Sequence, residues 1–428
     1  MMSQQRAPLR NRIFANQIAG LAAAIGEVGT LRYPADASLH HFFRAHREMG
    51  QQDRAFVAEG TFAYLRRKRS LEALAGSTDA RKLALAVIVR EFHASVRDVE
   101  ALINVPEAAW LAEFKSRTHA ALPPAVAADL PDWLWDRLGA AYGDADRAAF
   151  ADAWQKPAPL DLRVNPAKLS RDDALAALRA TNLDASPTPF SPLGIRVQGR
   201  PQMATHALFE NGSLEVQDEG SQLIGYALAP RRGEMVADFC AGAGGKTLLL
   251  GALMRSSGRL YAFDVVDKRL ANLKPRLARS GLSNVHPQLL TSERDARVKR
   301  LAGKIDRVLV DAPCTGFGTL RRNPDLKWRQ TEQDLAELTA KQAAILQSAA
   351  TLVKPGGRLV YATCSVLPEE NDHVVDAFVA ANPQFREGDV AAEFARAKIG
   401  LDTGARLRLT PQQHGCDGFF GAILERAP

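Results

Sequence analysis

From about Gln217 onward, short apolar runs alternate with amphipathic stretches, and this alternation constrains the possible folds more than any single motif does. Met235 to Cys240, Arg259 to Val265, Val285 to Leu290, Ile305 to Val310 and Arg358 to Tyr361 read as strands. Between them, Gly245 to Arg255, Lys268 to Gly281 and a long stretch reaching Val353 read as helices, the second of which must tolerate Pro275. Strand and helix in strict turn imply parallel crossovers, hence a doubly wound sheet covered on both faces. Ligands of such sheets bind beyond the carboxyl ends of the strands, so the residues just after each run are the functional candidates. Gly356-Gly357 is expected to turn the chain into the strand before Cys364, and Arg406 to Leu409 with Phe419 to Leu424 to add a closing antiparallel pair.

The first third of the chain has another rhythm. Residues 8–155 are alanine-rich, with apolar positions three and four apart in Ile13 to Ile25, Phe56 to Leu65, Leu83 to Phe92 and Trp133 to Tyr142, which predicts a helical bundle. Lys156-Pro157-Ala158-Pro159 cannot continue a helix and marks a boundary. Beyond it a short strand, Leu162 to Val164, and a helix, Asp172 to Thr181, with extended pieces broken by prolines, make a small α/β module. The expected organisation is multidomain: an all-α domain over 1–155, the module over 156–215 and the α/β sheet domain over 216–428. A chain of 428 residues is long enough for two or three cores.

Composition narrows the setting. No apolar run approaches the roughly 18 to 20 residues of a membrane span, and Met1 to Gln17 lacks the apolar core of a secretory signal. The four cysteines, Cys240, Cys314, Cys364 and Cys416, have no C-x-x-C spacing, so no metal site is expected and a reducing cytoplasm fits. A net charge of +7 permits a polyanionic partner. Arg66-Arg67-Lys68-Arg69 is expected to close a helix, either complementing its dipole or meeting a phosphate backbone.

Two cysteines stand where strands should end. Cys314 lies in Asp311-Ala312-Pro313-Cys314-Thr315-Gly316 and Cys364 in Ala362-Thr363-Cys364-Ser365, with Glu369 and Glu370 close behind. An isolated cysteine is usually an inert buried packer; two delivered to one sheet edge make a catalytic pair the better reading. Upstream, Asp238-Phe239-Cys240-Ala241-Gly242-Ala243-Gly244-Gly245-Lys246-Thr247 joins a strand to a helix. A phosphate loop would need glycine at Cys240, and a dinucleotide fingerprint begun at Gly242 would need glycine at Thr247. What remains is a glycine loop followed by Asp264 at the end of the next strand, placed to accept hydrogen bonds from a ribose diol. A nucleoside cofactor without a pyrophosphate, such as S-adenosylmethionine, is favoured.

With that cofactor, paired thiols suggest methylation of cytosine carbon 5. That carbon becomes nucleophilic only after a thiolate adds to carbon 6, and its proton must leave before the thiolate is expelled. A free thiol with a pKa of about 8.5 is a few per cent thiolate at neutral pH, so the nucleophile needs a favourable site. The sequence alone does not name the cation that supplies it.

These residues resemble the RNA cytosine-C5 methyltransferases of the Sun/RsmB type. The resemblance rests on Asp311-Ala312-Pro313-Cys314, on Arg321-Arg322-Asn323-Pro324-Asp325-Leu326-Lys327-Trp328, on Tyr361 through Asn371 and on Asp417-Gly418-Phe419-Phe420. It implies a Rossmann-like class I methyltransferase domain using S-adenosylmethionine and, more faintly, a NusB-like RNA-binding helical domain. It implies Cys364 as nucleophile, Cys314 as the thiol assisting release, and Asp311 as the group stabilising the activated base. Cofactor contacts are implied at Cys240, Ala241, Gly242, Ala243, Gly244, Gly245, Lys246, Asp264 and Asp311, and by register at Ser292. The partner is RNA, foremost 16S ribosomal RNA, with neither DNA nor membrane involved and no oligomer implied. Transfer RNA as substrate, or a non-catalytic RNA-binding or assembly role, stays open. Two departures stand out: Gly242-Ala243 replaces an Ala-Pro pair usual in the family loop, and Thr291-Ser292 falls where the family has Gly-Asp.

Overall fold

The computed structural model describes residues 12–199 and 201–428. The reading of the first residues as lacking a secretory signal lies, up to residue 11, outside them. The chain forms two compact units, Met1–Pro157 with Leu320–Thr331, and Ala158–Thr319 with Glu332–Pro428.

The first unit is helical. Its main helices are Ala15–Val28, Ala35–Ala45, Gln51–Arg66, Lys68–Ala75, Ala80–Arg90, Val105–Ser116 and Asp132–Trp154. Ala15–Val28 buries Ile18, Leu21, Ile25 and Val28, one stripe at three- and four-residue spacing. In Ala80–Arg90 every residue from Leu83 to Val89 is buried, so this helix is surrounded rather than amphipathic. Asp79 caps its start by accepting the Lys82 N–H at 2.9 Å.

The basic run departs from expectation. Arg67 is non-helical (φ −114°, ψ 19°) and separates Gln51–Arg66 from Lys68–Ala75, so the run spans a junction instead of closing one helix. Its charges are spent internally. Arg66 donates to the Arg321 carbonyl at 3.2 Å, Lys68 to Glu72 at 3.0 Å, and Arg69 to the Leu130 carbonyl and Asp132 at 2.5 and 2.8 Å. Arg67 meets Gln155 and lies 3.7 Å from Glu91. These contacts favour an architectural role over phosphate binding.

Leu320–Thr331 also corrects the expected boundaries, because 216–428 is not one continuous domain. Asp325 accepts the Ala35 N–H at 3.2 Å, Lys327 donates to the Arg66 carbonyl at 2.9 Å and the Trp328 indole to the Leu65 carbonyl at 2.7 Å. The segment therefore completes the helical unit. Burial of Lys327 pushes its pKa down to about 7, against the attraction of buried Asp129.

The second unit contains two sheets. The smaller, in spatial order β2-β3-β1-β4, is antiparallel throughout and consists of β1 (Leu160–Val164), β2 (Ala185–Pro187), β3 (Gly194–Val197) and β4 (Leu214–Val216). The helix Arg171–Ala180, capped by Ser170, lies between β1 and β2 in sequence. The larger sheet has β5 (Met235–Asp238), β6 (Arg259–Asp264), β7 (Val285–Leu289), β8 (Ile305–Asp311), β9 (Val353–Thr363), β10 (Phe385–Glu387), β11 (Leu407–Leu409) and β12 (Phe419–Arg426). Its order is β10-β12-β9-β8-β5-β6-β7, with β11 paired to β12.

β9, β8, β5, β6 and β7 run parallel, and β12 pairs antiparallel to β9. From β5 the chain adds β6 and β7 on one side and then crosses to β8 and β9 on the other. The switch point, where a crevice opens, therefore lies between β5 and β8. The helix Asp267–Ser280 accommodates Pro275 internally. Gly356-Gly357 lies inside β9 beside a register shift at Ile305/Arg307, not in a turn before it. The sequence reading missed the helix Glu219–Leu228, whose start Asp218 caps through the Gly220 N–H at 2.8 Å. Among the described residues no helix is long and apolar enough to cross a membrane.

Candidate active site

The expected site residues all fall at the carboxyl edge of the larger sheet. Asp311 ends β8, Cys314 follows it, and Cys364 follows β9. Because β8 and β9 are adjacent and parallel, with Asp311 opposite Ala362, the two loops leave the sheet side by side. Their sulfurs come within 3.4 Å.

Backbone packing enforces this approach. The Gly318 N–H donates to the Cys364 carbonyl and the Gly418 N–H to the Gly318 carbonyl, both at 2.8 Å. A Cβ on Gly318 would fall 2.1 Å from the Gly418 oxygen, so only glycine fits this crossing. Asp417-Gly418, which entered the resemblance as a terminal signature, thus braces the cysteine loops. The Asp417 N–H is in turn held by Asp218 at 3.1 Å.

A buried carboxylate ties the two loops together. Glu370 accepts the Thr315 N–H at 2.8 Å, the Thr315 hydroxyl at 2.5 Å and the Gln342 amide at 3.0 Å, while its own carbonyl accepts the Tyr361 hydroxyl at 2.6 Å. Asn371 accepts the Thr363 hydroxyl at 2.5 Å and donates to the Ser365 carbonyl at 3.1 Å, bracketing Cys364. The sequence showed Glu370 only as polar surroundings of a cysteine. Its acidity within a buried, Pro-led turn was the available signal.

Lys246 brings a largely buried cation to this edge. Its ammonium lies 2.7 Å from Asp311 and 5.1 Å from the centroid of the Phe419 ring. Burial alone would lower its pKa, yet Asp311, by charge and by hydrogen bond, and then Cys364 outweigh that and raise it. The site thus holds a protonated amine paired with the Asp311 carboxylate. Cys314 lies against Cys364. Its hydrogen bond to Cys364, its burial and the nearby charges of Glu370 and Asp311 push its pKa well up.

The glycine loop follows β5. Gly242 has φ +56° and its N–H donates to Asp264 at 2.8 Å; the other Asp264 oxygen accepts the Val266 N–H at 2.8 Å. Each carboxylate oxygen keeps capacity for a further donor, as a ribose diol requires. Asp264 therefore serves the local turn while its oxygens can still take a further donor. Space beside Gly242 is open, with nothing within 4 Å of a Cβ built there, and Val265 and Val266 remain 49% and 40% exposed next to Asp264. A partly apolar surface is thus open beside Gly242 and Asp264. Cys240 is a protonated packing residue, its pKa raised first by burial and then by Asp238, Asp311 and Asp264.

Past β7, the Ser292 hydroxyl accepts the Arg294 N–H at 3.2 Å. Asp295 is committed to its own loop, accepting the N–H groups of Arg297 and Thr291, which hold its pKa down at about 2. Ser292 is thus the better placed of the two to meet a ligand. Arg163 and Asn165, which bracket the end of β1, reach toward this domain: Asn165 donates to the Gly212 and Ser280 carbonyls at 3.2 and 3.0 Å, and Arg163 to the Gly245 carbonyl at 2.6 Å.

Residues 225–425 match the model of the 16S rRNA methyltransferase RsmB/F family, and residues 130–204 match the ferredoxin-like domain of RsmF/B-like methyltransferases. The chain is 35% identical over 321 residues to the ribosomal RNA small subunit methyltransferase B of Sodalis glossinidius, covering 73% of this chain and 70% of that one. It is 37% identical over 306 residues to the protein of the same name in Klebsiella pneumoniae, covering 69% and 65%. Among solved structures it is similar to the protein PH0851, with a TM-score of 0.77 and 25% identity, covering 97% of this chain and 99% of that one. The alignments to several relatives, such as those of Bacillus subtilis and Photorhabdus laumondii, span 65% and 66% of their length. On these matches, centred on the domain that carries the paired cysteines and the glycine loop, the chain belongs to the RsmB/F methyltransferase family.

Proposed function

We propose that this methyltransferase, whose cofactor is S-adenosylmethionine, methylates carbon 5 of a cytosine in 16S ribosomal RNA through a covalent bond between Cys364 and carbon 6. The observation that carries the reading is the Cys314–Cys364 pair, 3.4 Å apart beside the Lys246–Asp311 ion pair. One thiol without the other would support only half of the chemistry.

Each residue then has a distinct task. The Cys364 thiolate adds to carbon 6 and makes carbon 5 nucleophilic. Asp311, anchored through one oxygen by Lys246, offers the other to the polar edge of the base and stabilises its activated form. The loop Cys240–Lys246, Asp264 and Ser292 hold the cofactor, which supplies an electrophilic methyl group. After transfer, the carbon 5 proton passes to water or a nearby base and the bond to Cys364 breaks to restore the ring, with the Cys314 thiol assisting that release through its hydrogen bond to the departing sulfur. Pinned loops keep these groups in place, so the reaction gains from orientation already established by folding.

A cytoplasmic setting and an RNA partner follow from this reading. The test is bisulfite sequencing of ribosomal and transfer RNA from the native host, with and without the gene. One 16S cytosine losing protection in the deletion strain is the expected result. Loss in a transfer RNA instead would move the substrate, and no loss anywhere would reject the catalytic reading for these RNAs.

A further inference from the structure

The cofactor loop contains two glycines with positive φ, Gly242 at +56° and Gly244 at +84°, and Gly242-Ala243 stands where the family resemblance leads one to expect Ala-Pro. Glycine leaves a loop with more conformational freedom to lose than any other residue, whereas proline removes freedom in advance. A loop of this composition needs an external restraint to hold one shape.

The structure supplies one from two directions. Arg276, on the helix Asp267–Ser280, donates to the Ala243 carbonyl at 2.6 Å. Arg163, at the end of β1, donates to the Gly245 carbonyl at 2.6 Å and to the Gln217 side chain. Glu215 on β4 lies opposite Arg163 in the strand register. It accepts from Arg276 at 2.8 and 3.1 Å and from Arg279 at 2.6 and 3.1 Å. Glu215 and Arg163 are both buried, at 4% and 3% exposure. Each guanidinium donates two N–H groups to a single Glu215 oxygen, Arg276 to one and Arg279 to the other, which fixes direction as well as distance.

We propose that Arg276, Arg163 and Glu215 form a clamp that shapes the cofactor loop for binding. They are positioning residues, acting through the carbonyls of Ala243 and Gly245. The small antiparallel sheet, which presents Arg163 and Glu215, thereby becomes part of the cofactor site. This rests on the reading that the loop binds S-adenosylmethionine.

Arg276 is the residue to test, because its side chain is partly exposed and its loss leaves the cores intact. Calorimetry on the whole protein would compare S-adenosylmethionine binding by wild type, Arg276→Gln and Arg276→Lys. Removing a charge-assisted hydrogen bond to the loop is expected to weaken binding roughly ten- to hundredfold. Amide exchange at Gly244 and Leu248 should quicken in the ligand-free Arg276→Gln variant, and Arg276→Lys, which keeps a charged donor for the Ala243 carbonyl, should recover at least part of the affinity. In turnover, KM for the cofactor should rise while kcat at saturation holds. Wild-type binding with an unchanged Arg276→Gln affinity would overturn the clamp alone. Absence of binding by the wild type would overturn the cofactor reading, and the clamp with it. A variant that melts earlier yet binds equally well would mark Arg276 as merely structural and also overturn the proposal.

Discussion

Glu370 grips Thr315 twice, through its backbone N–H at 2.8 Å and its hydroxyl at 2.5 Å, one residue after the thiol of Cys314. Truncation to Glu370→Ala leaves that buried N–H and hydroxyl without their acceptor, at a cost of about 1–3 kcal/mol each before relaxation. The melting temperature should fall, and methyl transfer should fall further than cofactor binding because the slackened loop carries Cys314. Glu370→Gln keeps an acceptor oxygen and should recover much of the stability. Equal losses in Gln and Ala variants, read by thermal melting and single-turnover assays, would contradict this role.

The two cysteines should fail differently. Cys364→Ala removes the nucleophile and should reduce methyl transfer by roughly three orders of magnitude or more. Cys314→Ala leaves bond formation intact and should accumulate a protein–RNA adduct visible as a shifted band under denaturing conditions. If Cys364→Ala stays active while Cys314→Ala is inactive without an adduct, the roles are reversed.

Asp238 sets a pH dependence. Burial pushes its pKa up to about 7, with Asp311 adding to the rise and the Thr247 hydrogen bond and Lys246 opposing it. The folded value thus exceeds the unfolded value of about 3.9, so folding favours the protonated form. This contribution is complete below about pH 4 and is lost as the pH rises through about 7, amounting to about 4 kcal/mol in full. Asp238→Asn, which still accepts from Thr247, should flatten the stability profile across neutral pH. Denaturant unfolding at several pH values, with identical slopes for the two proteins, would refute the assignment.

Trp328 anchors its segment in the helical unit through the Leu65 carbonyl and by packing against that core. Trp328→Ala should cost on the order of 3 kcal/mol there, and Trp328→Phe about 1 kcal/mol for the lost hydrogen bond. Hydrogen exchange should quicken in Gln51–Arg66 and Ala80–Arg90. Unaltered protection in both helices would show that the anchor is dispensable.

The site's location was legible because strand ends are written in local sequence. β-branched runs stopped by Asp311 or Thr363 predict an edge, and the fold places ligands at edges. What was hidden depends on contacts distant in sequence. Nothing around Arg276 announces the Ala243 carbonyl, and nothing around Glu370 announces Thr315, 55 residues away. The Arg66–Arg69 run stays open between a dipole complement and a phosphate contact in local sequence because partners such as Asp132 and Glu72 are not visible there. Local sequence groups Leu320–Thr331 with the sheet domain for a related reason: its neighbours in sequence belong to the cysteine loops, whereas its neighbours in space are Leu65 and Arg66.

That displaced segment bears on how the protein is made. During synthesis at ~5–20 residues per second, the helices before Pro157 emerge first, yet their last structural piece is Leu320–Thr331. The small antiparallel sheet and β5 to β8 leave the ribosome before it. For that interval, on the order of ten seconds or more, the nascent helical unit has an open slot at Leu65 and Arg66. The same wiring means that neither unit can be shuffled intact into another gene by one cut, since a break at Pro157 separates the helices from a part encoded far downstream.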